Sequence, residues 1–375
     1  MNTICTQNVI SQSWHQTELL VSNYGNYICV YSIIGMNCAV HKYEIASKPN
    51  GLNNKKFGGT MLRQLWIWLL LISMVISVSC KSVKVDRPTS FSFGPARTLH
   101  WVDRTGREMP IQAPLYNYHF PDISPDGKRV VMTVEISGNR DVYILDLMDG
   151  TLQRMTFSQG NENQPIWSLD GRQIAYTSRN VLQGGESRIQ MVSADGTGEM
   201  KILGSLSGKW LFPHSWEKNG DSIVVIETDP SMRNFNIGRL FVDGSQPYTP
   251  LLNGDYHEVQ PQISPDGRWL AYCTDEAKER QVYVRPFPDV SAGKWQVSTI
   301  TGNSPRWSPD GKELYYLTGT TKTEAIMVVK VETNPTFKAE QPKVLFVGDY
   351  VGSLPDEGIP YDVHPDGKRF LMMKQ

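Results

Sequence analysis

A four-residue turn, repeated at near-constant spacing, constrains this chain more than any other feature. Ser124-Pro125-Asp126-Gly127, Ser264-Pro265-Asp266-Gly267 and Ser308-Pro309-Asp310-Gly311 are full copies. Ser168-Leu169-Asp170-Gly171, Glu217-Lys218-Asn219-Gly220 and His364-Pro365-Asp366-Gly367 are variants. The glycines stand 44, 49, 47, 44 and 56 residues apart. Pro at the second position pre-sets φ, and Gly at the fourth accepts the left-handed conformation that strains other residues. Such a turn joins two antiparallel strands as a hairpin with a glycine bulge.

The stretch after each turn is equally regular. The third to fifth residues after the glycine are apolar or aromatic in all six copies: Val130-Val131-Met132, Ile174-Ala175-Tyr176, Ile223-Val224-Val225, Leu270-Ala271-Tyr272, Leu314-Tyr315-Tyr316 and Phe370-Leu371-Met372. Unbroken apolar runs predict strands covered on both faces, as in sheets stacked face to face. A proline precedes each glycine by six or seven residues (Pro121, Pro165, Pro213, Pro261, Pro305, Pro360) and is expected to mark the start of the preceding strand. Further strand signals come at Val142–Leu145, Ile189–Val192, Leu240–Val242 and Val282–Val284. Another short strand is expected after each, as at Gln153–Phe157.

Four strands per roughly 48 residues is the arithmetic of a propeller blade. The sixth copy stops at Gln375 with two strands supplied, while Leu99–Asp103 and Met109–Gln112 read as a third and fourth strand without a first pair. The expected fold is therefore all-β: a six-bladed β-propeller closed by pairing of N-terminal strands with the C-terminal blade. Closure removes exposed sheet edges.

The first 80 residues differ in kind, holding 5 Lys/Arg, 2 Glu, no Asp and four of the five cysteines. Cys273 alone remains in the body, which therefore needs no disulfide, and is expected to be a small buried hydrophobe. Residues 1–60 show no sustained period and are read as a non-native or unstructured extension from an over-extended gene start. Residues 61–80 contain a 14-residue apolar run, Leu65–Val78, preceded by Met61-Leu62-Arg63 and followed by Ser79-Cys80. That run is short for a membrane span and suits a signal-peptide core. Counted from Met61, it resembles a bacterial lipoprotein signal with Cys80 as the lipidated residue. A plain cleaved signal and a short uncleaved anchor are the alternatives. Residues 81–96 form a polar tether, and 97–375 the propeller.

Trp101–Glu108 (WVDRTGRE), Val282–Asp289 (VYVRPFPD), Trp295–Ser298 and Tyr361–Met373 resemble the TolB-type, WD-repeat-like β-propeller family. They are similar to the extracytoplasmic propellers of bacterial serine/threonine kinases and their free-standing relatives. No kinase Gly-rich loop, HRD-type loop or DFG triplet precedes residue 61. The resemblance implies a six-bladed fold that binds proteins or ligands rather than performing chemistry.

The residues themselves argue the same way. A net charge of −1 gives no field for nucleic acid. Gly204-Ser205-Leu206-Ser207-Gly208 puts Leu206 where a hydrolase nucleophile would stand, and no HExxH or paired CxxC occurs. The segments before the strand prolines are expected to converge on one channel mouth. They carry His119, Glu162, Asn163, His257, Glu258, Asp356 and Glu357. Imidazoles and carboxylates around such a ring could hold a cation or polar ligand; solvated rim residues are the plainer reading. Trp167, Trp216 and Trp307 are expected to pack between blades. The expected function is a non-catalytic binding scaffold without a cofactor, a monomer, exported and membrane-tethered at the periplasmic or outer surface. Its partner would be an envelope protein or small ligand. The alternative is a propeller enzyme, a lyase or hydrolase acting on carbohydrate, that uses the channel-mouth His/Glu set.

Overall fold

The computed structural model describes residues 95–179, 186–244, 248–320, 323–352 and 358–375, and the backbone of four strands within 13–45. The chain divides into two compact units, Met1–Asp86 and Arg87–Gln375. In the first, Ser13–Trp14, Thr17–Tyr24, Tyr27–Ile34 and His41–Ile45 pair in chain order as an antiparallel sheet. This departs from the expectation of an unstructured extension. Thr17–Tyr24 and Tyr27–Ile34 are rich in β-branched and aromatic residues, which favour strands even without clean alternation. The apolar run Leu65–Val78 and Cys80 lie outside the described residues.

The second unit is a six-bladed propeller, whose described residues form strands, turns and connecting segments. Blade 1 is Asn117–Ile123, Arg129–Ile136, Asn139–Asp146 and Leu152–Arg154, paired in chain order from axis to rim. Blades 2 to 4 repeat the pattern, beginning at Asn161–Trp167, Trp210–Trp216 and Glu258–Ile263. Blade 5 begins at Asn303–Trp307, and its long third strand Thr323–Glu332 pairs with both Lys343–Gly348 and the two-residue Lys338–Ala339. Blade 6 joins Tyr361–Val363 and Arg369–Lys374 to Thr98–Asp103 and Glu108–Pro110. Its fourth strand lies slightly ahead of the expected Met109–Gln112.

The core lies in the seams between blades. Val130 and Met132 pack with Leu99, Trp101 and Leu371 of blade 6. Val131, between them, packs with Trp167, Ile174 and Tyr176 of blade 2. Successive side chains on a strand point to opposite faces, so one apolar triplet fills two seams. Each buried side chain of this size contributes about 1.5–3 kcal/mol. Trp167, Trp216 and Trp307 are buried here as expected, as is Cys273.

The turns form as read: the six repeat glycines have φ between 67 and 78°. The prolines do not mark strand starts. Pro121, Pro165, Pro213, Pro261 and Pro305 lie inside the innermost strands, where the register of pairing shifts. In blades 1, 2, 4 and 5 the bulge leaves the proline unpaired, and proline, lacking an N–H, loses nothing there; in blade 3 Pro213 pairs with Val225 and His214 is the unpaired residue. Pro360 alone precedes its strand.

Candidate functional site

The innermost strands aim one group of polar side chains at the axis. Asp122, His214, Gln262, Arg306 and Asp362 come from the innermost strands of blades 1, 3, 4, 5 and 6, with Ile166 from blade 2. Arg306 bridges them. It donates to Gln262 Oε1 at 3.0 Å and lies 3.4 Å from Asp362 and 3.8 Å from Asp122. The acids in turn hold neighbouring blades: Asp362 Oδ2 accepts from Ile123 N at 2.7 Å, and Asp122 Oδ2 from Trp167 N at 2.8 Å. Gln262 donates to His214 O at 3.0 Å, and Trp307 Nε1 to Gln262 O at 3.1 Å. Burial and the Asp362 charge push the Asp122 carboxyl up to about 7, against the pull of Arg306. Burial draws His214 down to about 3, so its imidazole is neutral at pH 7.

This ring leaves little space. The cavity at its centre holds 20 Å³, about one water. On the turn side it widens to 220 Å³ beside Trp216 and Lys218. The opposite end is closed by Gly358, where a Cβ would meet the Phe120 ring at 2.1 Å and Gln164 Nε2 at 2.9 Å. Phe120, Gln164, Gln260 and Ser304 each precede a bulge proline and hold φ of 49–56°. That left-handed conformation costs a non-glycine residue on the order of 1 kcal/mol. It persists because the ring fixes it: Ser304 N donates to Gln260 Oε1 at 2.7 Å, and Gln260 Nε2 to Gly358 O at 3.4 Å.

The residues singled out in the sequence fall into two groups. His119 and Asn163 belong to one buried chain across blades 1 and 2. Arg97 Nη1 donates to His119 Nδ1 at 3.1 Å, which places the imidazole proton on Nε2, 3.4 Å from Glu135. Glu135 pairs with Arg140 at 3.1 Å, and Arg140 donates to Asn163 Oδ1 at 3.3 Å. Burial, with Arg97 and Arg140 nearby, draws His119 down to about 3. Glu162 faces the same seam, accepting from the Ser158 and Ser178 hydroxyls. Burial and Asp141 push its carboxyl up to about 7.

His257 and Glu258 belong to blade 4 and bond within the region of their own blade. His257 N donates to Asp275 at 2.9 Å, and its ring lies against Phe235 of blade 3. Burial raises Glu258 to about 7. Glu162 and Glu258 are equivalent, each three residues before its blade's proline. Asp356 and Glu357 lie outside the described residues. Among the described residues, no three His, Cys, Asp or Glu side chains come together as a metal site.

The sequence reading missed the axial set of Asp122, His214, Gln262, Arg306 and Asp362. A signal was present: a polar residue directly follows the strand proline in four of the five bulged blades (Asp122, His214, Gln262 and Arg306), and Asp362 stands two after Pro360.

Comparison with known proteins agrees with this architecture. Residues 102–285 match the family described as the TolB beta propeller domain. An uncharacterized protein of Agrobacterium fabrum is 31% identical over 176 residues, covering 45% of this chain and 57% of that protein. The Tol-Pal system protein TolB of Francisella tularensis subsp. mediasiatica is 24% identical over 208 residues, covering 54% of this chain and 46% of the relative. The chain thus spans about half the length of the curated relatives it matches. A solved structure of a TolB-like protein from Agrobacterium tumefaciens shares the fold, with TM-score 0.60 and 18% identity, covering 75% of this chain and 99% of that one. Repeat turns, seam packing, ring closure and family match converge: the body of this chain is a TolB-type six-bladed β-propeller.

Proposed function

We propose that the propeller is a non-catalytic binding scaffold of the cell envelope, presenting a rigid face to another protein or a small ligand. The observation that carries this reading is the axis. Its polar side chains are bonded to one another and to neighbouring blades, and the space between them holds 20 Å³. Substrate-sized chambers run to several hundred Å³. Recognition therefore falls to the faces and rim, where loops vary on a fixed frame. Relatives named as Tol-Pal system proteins support a place in a multi-protein assembly.

Export and tethering belong to the same reading. The apolar run Leu65–Val78 directs the chain across the membrane, and Cys80 carries the lipid that holds it there. Cross-linking and affinity capture from envelope extracts, with the full chain as bait, test the scaffold. A stoichiometric envelope protein is expected. Turnover of a carbohydrate substrate by the purified protein would overturn the reading. Incorporation of a labelled fatty acid, lost in Cys80→Ala, is the expected result for the tether.

A further inference from the structure

Two Asn-Gly pairs fall among the described residues, Asn219-Gly220 and Asn253-Gly254. In such a pair the glycine nitrogen follows the asparagine side-chain amide directly, and a glycine has no Cβ to shield its approach to the amide carbon. What the nitrogen does there depends on what holds its proton. The two pairs differ in that respect.

At Asn219-Gly220, in the repeat turn of blade 3, the nitrogen is held. Gly220 N–H donates to Glu217 O at 2.9 Å, and a peptide carbonyl is too weak a base to take the proton. The asparagine is tied as well: its Nδ2 donates to Asp221 Oδ2 at 2.8 Å, and its Oδ1 accepts from Asp221 N at 3.2 Å.

Asn253-Gly254 stands in the exposed link between Thr249–Leu252, the last strand of blade 3, and Glu258–Ile263, the first of blade 4. Here the Gly254 N–H donates to the Glu258 carboxylate instead of a carbonyl. The two groups are packed together, since a Cβ on Gly254 would stand 3.2 Å from Glu258 Oε1. Glu258 is itself 9% exposed, and the charged groups facing it are Arg285, Glu276 and Lys294 of the same blade. Burial raises its carboxyl to about 7, which suits a proton acceptor working at neutral pH.

We infer that Asn253-Gly254 is a site of self-modification, at which Glu258 is the base that turns Asn253 into aspartate and isoaspartate. The Glu258 carboxylate takes the Gly254 N–H proton as the nitrogen bonds to Asn253 Cγ and closes a cyclic imide. The carboxyl returns that proton to the side-chain nitrogen, the Cγ–Nδ2 bond breaks, and ammonia leaves. Water then opens the imide at either carbonyl, giving aspartate or, with the main chain routed through Cγ, isoaspartate. Nothing is oxidised or reduced, and Glu258 ends as it began. Either product adds a carboxylate beside Asp255 in the link between blades 3 and 4, and the step is one-way. This goes beyond the scaffold reading and does not depend on it.

The test is to incubate the full chain at neutral pH, folded and in urea, and to follow both asparagines by peptide mapping. In urea the two pairs should react at matching rates. Folding should speed Asn253 by about tenfold or more and slow Asn219. Glu258→Gln keeps an acceptor for the Gly254 N–H but cannot take its proton. It should slow the folded rate at Asn253 by about tenfold or more and leave Asn219 unchanged. That floor lies below the roughly hundredfold minimum typical of a general base, because hydroxide from solvent offers a second route. The product should be a mixture of isoaspartate and aspartate, each carrying one oxygen from labelled water. Should Glu258→Gln fail to fold, the folded-to-unfolded ratio at Asn253 in the parent chain still decides. A rate at Asn253 no higher folded than in urea, an unchanged rate in a folded Glu258→Gln variant, or aspartate without isoaspartate would overturn the inference.

Discussion

Val102 and Phe370 sit directly opposite one another in adjacent antiparallel strands, although one opens the propeller and the other lies in its final hairpin. Both are fully buried, and the Phe370 ring meets Tyr315 at 4.9 Å and Phe346 at 5.2 Å in blade 5. Phe370→Ala should therefore cost about 3–5 kcal/mol, the range for truncating a buried aromatic. Met148→Ala, at a side chain 84% exposed, should change stability by less than about 0.5 kcal/mol. Urea unfolding of the two variants against the parent gives the comparison.

Arg306 is the cation shared by two acids of the channel. Arg306→Met leaves Asp122 and Asp362 facing each other without it, and a loss of about 3–5 kcal/mol is expected. Adding Asp122→Asn and Asp362→Asn should recover much of that loss, because the uncompensated charges are gone. If the triple variant were no more stable than the single, charge would not be the reason for the loss.

Glu162 and Glu258 make a prediction about pH. Burial raises each from an ordinary 4.5 to about 7. Between those values the folded state holds a proton that the unfolded chain releases, so folding is favoured at the acid end. Their contribution is present below about pH 4.5 and is lost as pH rises through 7. Glu162→Gln and Glu258→Gln keep a neutral polar group in place. Each should flatten the decline of the urea midpoint between pH 5 and 7.5, and an unaltered slope in both would count against this account.

Two turn glycines separate backbone strain from crowding. Gly127 and Gly220 both have positive φ, 71° and 77°. A Cβ on Gly127 would meet His364 Nε2 at 2.6 Å, whereas one on Gly220 meets nothing within 4 Å. Gly220→Ala should cost about 1 kcal/mol from conformation alone. Gly127→Ala should cost clearly more, because the seam between blades 6 and 1 must also shift. Thermal midpoints measured side by side would decide it.

The blades are legible in the sequence because their signals are local. A four-residue turn ending in glycine and an apolar triplet say the same thing in every copy, and the truncated sixth copy calls for a partner elsewhere. The axial residues are not, because their partners come from other blades. Asp122 reads as a polar residue before a turn until the ring sets it beside Arg306 and Asp362. His119 and Glu162 read as rim residues as long as the prolines two or three positions later stand for strand starts. The bulges place both side chains in the seam between blades 1 and 2 instead. Blade 3 shows the tolerance of the plan: Glu217 replaces the turn serine, and its carboxylate accepts from Ser222 and Arg239. One extra residue, His214, is absorbed by the bulge.

The latch in blade 6 has a mechanical corollary. Any tension arriving along the polypeptide from its N-terminal side first meets Arg97, whose N–H donates to Tyr116 O and whose guanidinium donates to Tyr118 O and His119 of blade 1, and then Thr98, the first residue of the strand paired with Arg369–Lys374. A pull from that side therefore loads the Arg97 anchor on blade 1 and the blade 6 clasp before it loads blades 2 to 5. Resistance to peeling is set by the hydrogen bonds between those two strands and by the side chains wedged beneath them.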